Sequence, residues 1–301
     1  MRFDVVCFGA LNIDRLYRVN RIAREDEESY ITDFKETPGG SAANTAVGLS
    51  RLGLKTGFIG KVSDDREGNL LIGDFKKEGV DTNGIAVLRG GRSGVAAGFV
   101  DRKGERALYV DPGVNDSLQF VEIDVNYAQN TKFLHLTSFV GEKPFRAQKN
   151  LIKGLPDVRI SFDPGELYTR KGLPSLWPII KRSAALFLNR NEMSILIGKG
   201  YKEGAKILLK KGASIVAVKL GKKGCYVTDS KESHMVEPYK VKVVDTTGAG
   251  DAFCAGFLYG LMKNKDLHEC GRLGNLVASR CITKAGAREG LPKVSDLCEL
   301  K

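Results

Sequence analysis

A chain of 301 residues, 42% hydrophobic and 28% charged, can bury one large core, and no apolar run approaches the roughly 20 residues of a membrane span. Its formal charge of +11 is scattered through mixed runs such as KKEGVD and DRKGERALYVD, which argues against nucleic acid as a partner and for a basic surface that attracts anionic substrates. Six cysteines without a C-x-x-C pair and three widely separated histidines give no zinc spacing, and the cysteines read as buried and reduced.

The first predicted strand is Phe3–Phe8, and no basic leader precedes it, so a cytoplasmic protein is expected. Asn12 and Asp14 follow in GALNID, two residues apart and so on one side of an extended segment. Such a pair suits vicinal hydroxyls, one side chain donating and accepting and the other accepting strongly; an Asx-capped turn fits equally well. Leu16–Phe34 then alternates like an exposed antiparallel strand pair. In PGGSAAN, residues 38–44, Gly39 and Gly40 open a helix over Ala42–Leu52 and let a ligand approach the backbone, with Asn44 one turn inside.

A strand at Thr56–Ile59 and a helix over Asp64–Lys77 come next, then a second alternating stretch, Gly94–Val110, turning near DRKG. The two alternating stretches predict a small separate sheet, a lid formed from about 15–37 and 92–112. Further strands are predicted at Phe133–Leu136, Val158–Phe162, Ala185–Leu188 and Ser214–Val218, separated by helical spacing, so the remainder reads as βαβ units on a mostly parallel sheet within one α/β domain over 1–301.

Asn189 and Glu192, at the end of one such strand, suit either a Mg²⁺ held through its water shell or a helix N-cap with its first-turn glutamate. Lys219-Leu-Gly-Lys-Lys-Gly224 reads as a phosphate-contacting turn or a hairpin connection. A β-rich run at Tyr239–Val244 leads into DTTGAGD, residues 245–251, where glycines at a helix start leave N–H groups for an anion beside the Asp251 carboxylate. Val294–Leu300 reads as a closing helix. No G-x-x-x-x-G-K-[ST] occurs, and the nearest G-x-G-x-x-G, at Gly248, fails at Phe253.

GGSAANTAVGLSRLGLKTGFIGKVSDD at 39–65 and DTTGAGDAFCAGFLYGL at 245–261 resemble the two signatures of the ribokinase-like, PfkB carbohydrate and nucleoside kinases. The resemblance runs from Asp4 to about Pro292. It implies a three-layer αβα sandwich with a small β lid that commonly makes a homodimer contact. It also implies transfer of the terminal phosphate of a purine nucleotide, ATP or ADP, with Mg²⁺, to the primary hydroxyl of a sugar or nucleoside.

By the same resemblance Asp251 would be the general base, and the N–H groups of Gly248, Ala249 and Gly250 an anion hole. Asn12, Asp14, Gly39, Gly40 and Asn44 match sugar-binding positions, and Asn189 and Glu192 match the N-x-x-E motif linked to Mg²⁺ and phosphate. Gly221 and Gly224 match the nucleotide-side turn, with Lys219 in place of the threonine of ribokinase; Asn275 falls where the adenine pocket is expected. Asp245, Thr247, Ile282 and Ala285 resemble a potassium site of backbone carbonyls.

Ribokinase carries a glutamate after the strand that here reads FLHLTS, where this chain has Thr137 and Ser138. That departure leaves ribose, ribose 1-phosphate, a nucleoside or a related furanose as acceptor. The competing reading is a catalytically silent sugar or nucleotide sensor on the same fold.

Overall fold

Short apolar runs alternating with amphipathic helices can bury both faces of a parallel sheet only if the helices divide between the two sides, and the computed structural model, which describes residues 3–298, does this. The strands are β1 (Phe3–Phe8), β2 (Asn12–Val19), β3 (Ile31–Gly39), β4 (Thr56–Ser63), β5 (Asp81–Leu88), β6 (Gly94–Val100), β7 (Arg106–Asp111), β8 (Thr131–Thr137), β9 (Arg159–Asp163), β10 (Ser183–Asn189), β11 (Val216–Lys219), β12 (Cys225–Thr228) and β13 (Ser233–Val236). The helices are α1 (Ser41–Arg51), α2 (Arg66–Lys77), α3 (Val125–Gln129), α4 (Glu142–Lys153), α5 (Gly165–Thr169), α6 (Gly172–Ile180), α7 (Arg190–Ile197), α8 (Tyr201–Lys210), α9 (Ala249–Met262), α10 (Leu267–Cys281) and α11 (Val294–Cys298). The last residues of the predicted closing helix lie outside the described residues. No described helix is long and apolar enough to cross a membrane.

The large sheet runs β13-β12-β11-β10-β9-β8-β1-β4-β5 and is parallel from β11 to β5, with β12 and β13 added antiparallel at one edge. Successive side chains point to opposite faces, so Val5, Cys7, Phe133, Phe187 and Ala217 pack under α1, α2, α9 and α10. Their neighbours Val6, Phe8, Leu134, Phe162 and Val218 pack under α4, α6, α7 and α8. The result is the expected αβα sandwich. Cys7, Cys225, Cys254, Cys270 and Cys281 are buried free thiols.

The second sheet, β3-β2-β6-β7, consists of two antiparallel hairpins, as expected, joined by a parallel β2–β6 seam. The seam is parallel because both hairpins leave the body at the same place: Asn12 lies opposite Gly39 on one side and Gly94 on the other. Pairing therefore starts at Asn12, ahead of position 15. On the face turned from the body, Tyr17 stacks between Phe34 and Phe99 with ring centroids 5.0 Å apart on each side, and Tyr109 meets Phe99 edge-on at 6.0 Å.

Tyr239–Val244 is not a strand. Pro238 removes a ladder donor just past β13, and the segment instead crosses to α9, with Val243 and Val244 exposed and the Val244 N–H bonded to the Ile282 carbonyl at 2.8 Å.

Phe257 of α9 is fully buried, with ring centroids 5.3 Å from Phe187 and 5.9 Å from Phe253. Phe257→Ala is expected to lower the unfolding free energy by about 3–5 kcal/mol in urea titrations, because the site cannot collapse around the lost ring.

Candidate active site

Parallel strands expose their ligand-binding loops at the C-terminal edge, and here that edge faces the inner side of the small sheet. Between them lies a cavity of about 360 Å³ bounded by Asn12, Asp14, Gly40, Asn44, Gly248 and Asp251, all expected from the sequence. A larger, open depression of about 580 Å³ involves Phe3 and Thr56, which begin β1 and β4, so it lies at the opposite edge.

Asp251 sits in the first turn of α9, and its carboxylate crosses to the first turn of α1. Oδ1 accepts from the Ser41 hydroxyl at 2.6 Å and Oδ2 from the Asn44 amide at 2.8 Å. Burial pushes Asp251 up to about 6, while those two bonds pull the other way by favouring the charged form. Asn44 does more than the sequence suggested: its amide oxygen accepts from Arg288 Nε at 2.9 Å, so it orients the carboxylate instead of facing a ligand freely.

Asp14 is pushed up to about 6, chiefly by burial; Arg288 pulls it down and Asp251 pushes it up. Its carboxylate fills the space beside Gly39, where an added Cβ would lie 2.1 Å from Oδ2, so only glycine fits. Asn12 accepts from Asn115 Nδ2 at 3.1 Å, and buried Asn115 is itself anchored to both the N–H and carbonyl of Leu11. Between about pH 4 and 6 the folded state holds protons on Asp14 and Asp251 that an unfolded aspartate has released. Their contribution to stability therefore declines as pH rises through that window.

Gly248 enters α9 with φ 76°, a left-handed conformation that favours glycine, and packs on Ala287. The Ala249 N–H turns back to the Thr246 carbonyl at 3.2 Å. Ala249 is thus removed from the expected anion hole. Among the described residues no protein group accepts from the N–H groups of Gly248, Gly250 and Asp251, which stay open at the start of α9.

Gly221 opens and Gly224 closes a single 3-10 turn that connects antiparallel β11 and β12, so the hairpin reading holds for the turn itself. Lys219 points away from that turn: its ammonium is 2.5 Å from Asp163 Oδ2 and 3.3 Å from where a Cβ on Gly250 would lie. Burial disfavours the charge on Lys219, but the neighbouring acidic groups Asp163, Cys254 and Glu192 together outweigh it, Asp163 foremost, and hold the lysine above its ordinary value. Asn275 lies buried on α10, donating to the carbonyls of Val236 and Glu237 at 3.1 and 3.0 Å, where it fastens the helix to the end of β13.

Asn189 and Glu192 form a reciprocal capping box at α7, with bonds of 2.8 and 2.7 Å. Burial, then the charge of Asp163, pushes Glu192 up to about 7. No group of three or more His, Cys, Asp or Glu among the described residues could cage a metal. A buried glutamate that meets the field of a second carboxylate fits Mg²⁺, which keeps most of its waters and takes few protein ligands.

The proposed potassium ligands fit less well. The Ile282 carbonyl accepts the N–H groups of Val244 and Asp245 at 2.8 and 3.3 Å, and the Ala285 carbonyl accepts Lys35 Nζ at 3.2 Å. Asp245 uses its side chain to hold Thr247 and Gly286, while the Thr247 carbonyl takes only a weak contact from Cys281 Sγ at 3.7 Å. Two of the four expected oxygens are therefore already engaged.

Sequence reasoning read Ser41 only as a polar helix cap, whereas its hydroxyl bonds Asp251, and it gave no role to Arg288, Asn115 or Asp163. Arg288 meets Asn44 across 244 positions and Asp74 across 214, separations at which no local pattern signals a contact.

The chain matches the model of the pfkB family carbohydrate kinases over residues 2–294. It is 49% identical over 253 residues to a protein of Archaeoglobus fulgidus described as an uncharacterized sugar kinase, covering 83% of this chain and all of that one. It is 32% identical to an ATP-dependent ribose-1-phosphate kinase of Halopiger xanaduensis, over 94% of this chain and 93% of that protein. The crystal structure of ribokinase from Thermotoga maritima superposes with a TM-score of 0.87 at 26% identity, covering 99% of this chain and 98% of that one.

Removing the Ser41 hydroxyl removes a bond that favours ionised Asp251. In Ser41→Ala, the Asp251 carboxyl followed by carbon NMR is expected to titrate about one pH unit above its present midpoint.

Proposed function

Because the chain belongs to the pfkB family of carbohydrate kinases, which are phosphotransferases acting on a sugar hydroxyl, we propose that it moves the terminal phosphate of ATP to the primary hydroxyl of a furanose-type sugar, a sugar 1-phosphate or a nucleoside. The observation that carries this reading is the Asp251 carboxylate, aimed into the cavity by Ser41 and Asn44, directly after the open N–H of Gly250. Base and charge sink are then adjacent, as phosphoryl transfer requires when positioning and charge stabilisation carry most of the catalysis.

Asn12 and Asp14 hold neighbouring hydroxyls of the acceptor, and Gly39 and Gly40 let the sugar approach the backbone. Asp251 takes the proton of the attacking hydroxyl. The N–H groups of Gly248, Gly250 and Asp251 meet the transferring phosphoryl oxygens, with the Lys219 ammonium beneath Gly250 adding positive charge. Glu192 would hold Mg²⁺ through water, and the ion neutralises nucleotide phosphate charge when bound. Gly221, Gly224, Asn189 and Asn275 would shape the nucleotide side, Asn275 by locking α10 against β13. The name of the Halopiger xanaduensis relative supports ATP as donor and a phosphorylated sugar among the candidate acceptors.

The small sheet closes over the acceptor as a lid. Its outward row Phe34, Tyr17, Phe99, Tyr109 leaves Phe34 49% and Tyr109 65% exposed, an apolar face suited to the same row of a second copy.

Asp251→Asn is expected to lower kcat by about 100-fold or more with KM for ATP changed less than about twofold; near wild-type turnover would sink the assignment. In the wild type, kcat/KM should fall about tenfold per pH unit below about 6 and level off above it, since the base must be ionised. Phe34→Lys combined with Tyr109→Lys should convert a dimer to a monomer in sedimentation velocity, and a wild-type monomer would exclude the lid contact.

A further inference from the structure

We infer that the acceptor carries a phosphate of its own and that Arg106, on the lid, binds it; this rests on the kinase reading above. Three basic side chains line the cavity, Arg15, Lys35 and Arg106, and Arg288 lies behind it. Arg15 is neutralised by Glu36 at 3.0 Å and Glu67 at 2.6 Å. Lys35 is held by Glu289 at 3.1 Å, and Arg288 by Asp74 and Asn44. Arg106 is different: no carboxylate among the described residues lies within ion-pair distance of it.

The position of this guanidinium is set by the lid. Arg106 begins β7 and shares the cavity-facing side with Leu108 and Val110, two and four residues on. Its charge favours the ionised forms of both Asp14, on the same inner face of the lid, and Asp245, across the cavity, so it stands within electrostatic reach of both while bonding to neither.

A neutral sugar gives that arrangement no purpose. Hydroxyls are served by Asn12 and Asp14, and the cavity is acidic through Asp14 on the lid and Asp251 on the body. A phosphate placed between those carboxylates would be repelled unless a cation met it, and an arginine fork matches phosphate oxygens two at a time. The phosphate has two conceivable sources, the acceptor or the end of the nucleotide. The acceptor is favoured because the nucleotide-side groups, Gly248, Gly250, Lys219 and Glu192, all belong to the body, whereas Arg106 shares the inner face of the lid with Asp14, which is assigned to the acceptor hydroxyls.

The test compares ribose 1-phosphate with neutral ribose, by ATP-dependent turnover and by calorimetric binding, in wild type, Arg106→Gln and Arg106→Lys. The expected result is tighter binding of ribose 1-phosphate than of ribose by the wild type. Arg106→Gln should weaken the phosphorylated sugar about 10- to 100-fold and collapse the ratio between the two, with partial recovery in Arg106→Lys. An unchanged ratio in Arg106→Gln, with the fold verified by its melting temperature, would overturn the inference and identify a solvated surface arginine. A rise in KM for ATP with no change in sugar-phosphate binding would overturn it in favour of the nucleotide phosphate. Arg106-dependent binding without any turnover would remove the kinase reading and leave this inference standing; turnover of ribose with an unchanged ratio would do the reverse.

Discussion

Everything at this site depends on one carboxylate held where two helices begin. Asp251 in the first turn of α9 is bonded by Ser41 and Asn44 in the first turn of α1, so the positive ends of both helices converge on it. Burial opposes the charge and leaves the group at about 6, low enough to be ionised near neutral pH and far better as a base than a solvated aspartate. The constraint propagates outward. α1 must start at Ser41, β3 must end at Gly39, and the small sheet therefore hangs from the edge of the cavity.

Beneath the start of α9 the buried Lys219–Asp163 pair supplies a second constraint. Removing two charges from water is favourable only with close geometry and further partners, and here the Cys254 thiol donates to the same Asp163 oxygen at 3.3 Å. The pair keeps the ammonium directly under Gly250 and compensated by Asp163, so the start of α9 rests on a fixed ion pair. A threonine at position 219 would supply a hydroxyl; the lysine supplies a fixed charge at longer reach.

The lid reconciles two demands through the period of its strands. Asp14, Leu16, Leu108 and Arg106 turn inward to the cavity, and Tyr17, Phe34, Phe99 and Tyr109 turn outward as a stacked row. One sheet thus turns a face carrying Asp14 and Arg106 to the cavity and an aromatic row outward. Glycines at positions 39 and 94 bring the backbone close enough for Asp14 and Asn12 to occupy the seam.

Local pattern determined much of this. The strand β1, the helices α1 and α2, the two lid hairpins and the glycine-rich start of α9 all follow from side-chain period, turn residues and helix signals within a few positions. Asn12, Asp14, Gly39, Asn44 and Asp251 could be singled out because each belongs to a short motif. Tyr239–Val244 misled because β-branched residues indicate an extended chain but not a partner strand, and Pro238 ends the ladder. Tertiary structure alone decided that Asn44 would be shared between Asp251 and Arg288, that the Ala249 N–H would turn to Thr246, and that Lys219 would pair with Asp163 across 56 positions. It also decided that Arg106, among many basic residues, would face the cavity without a carboxylate. Period and propensity describe which way a side chain points from its own element; which charge it meets depends on how distant elements close around it.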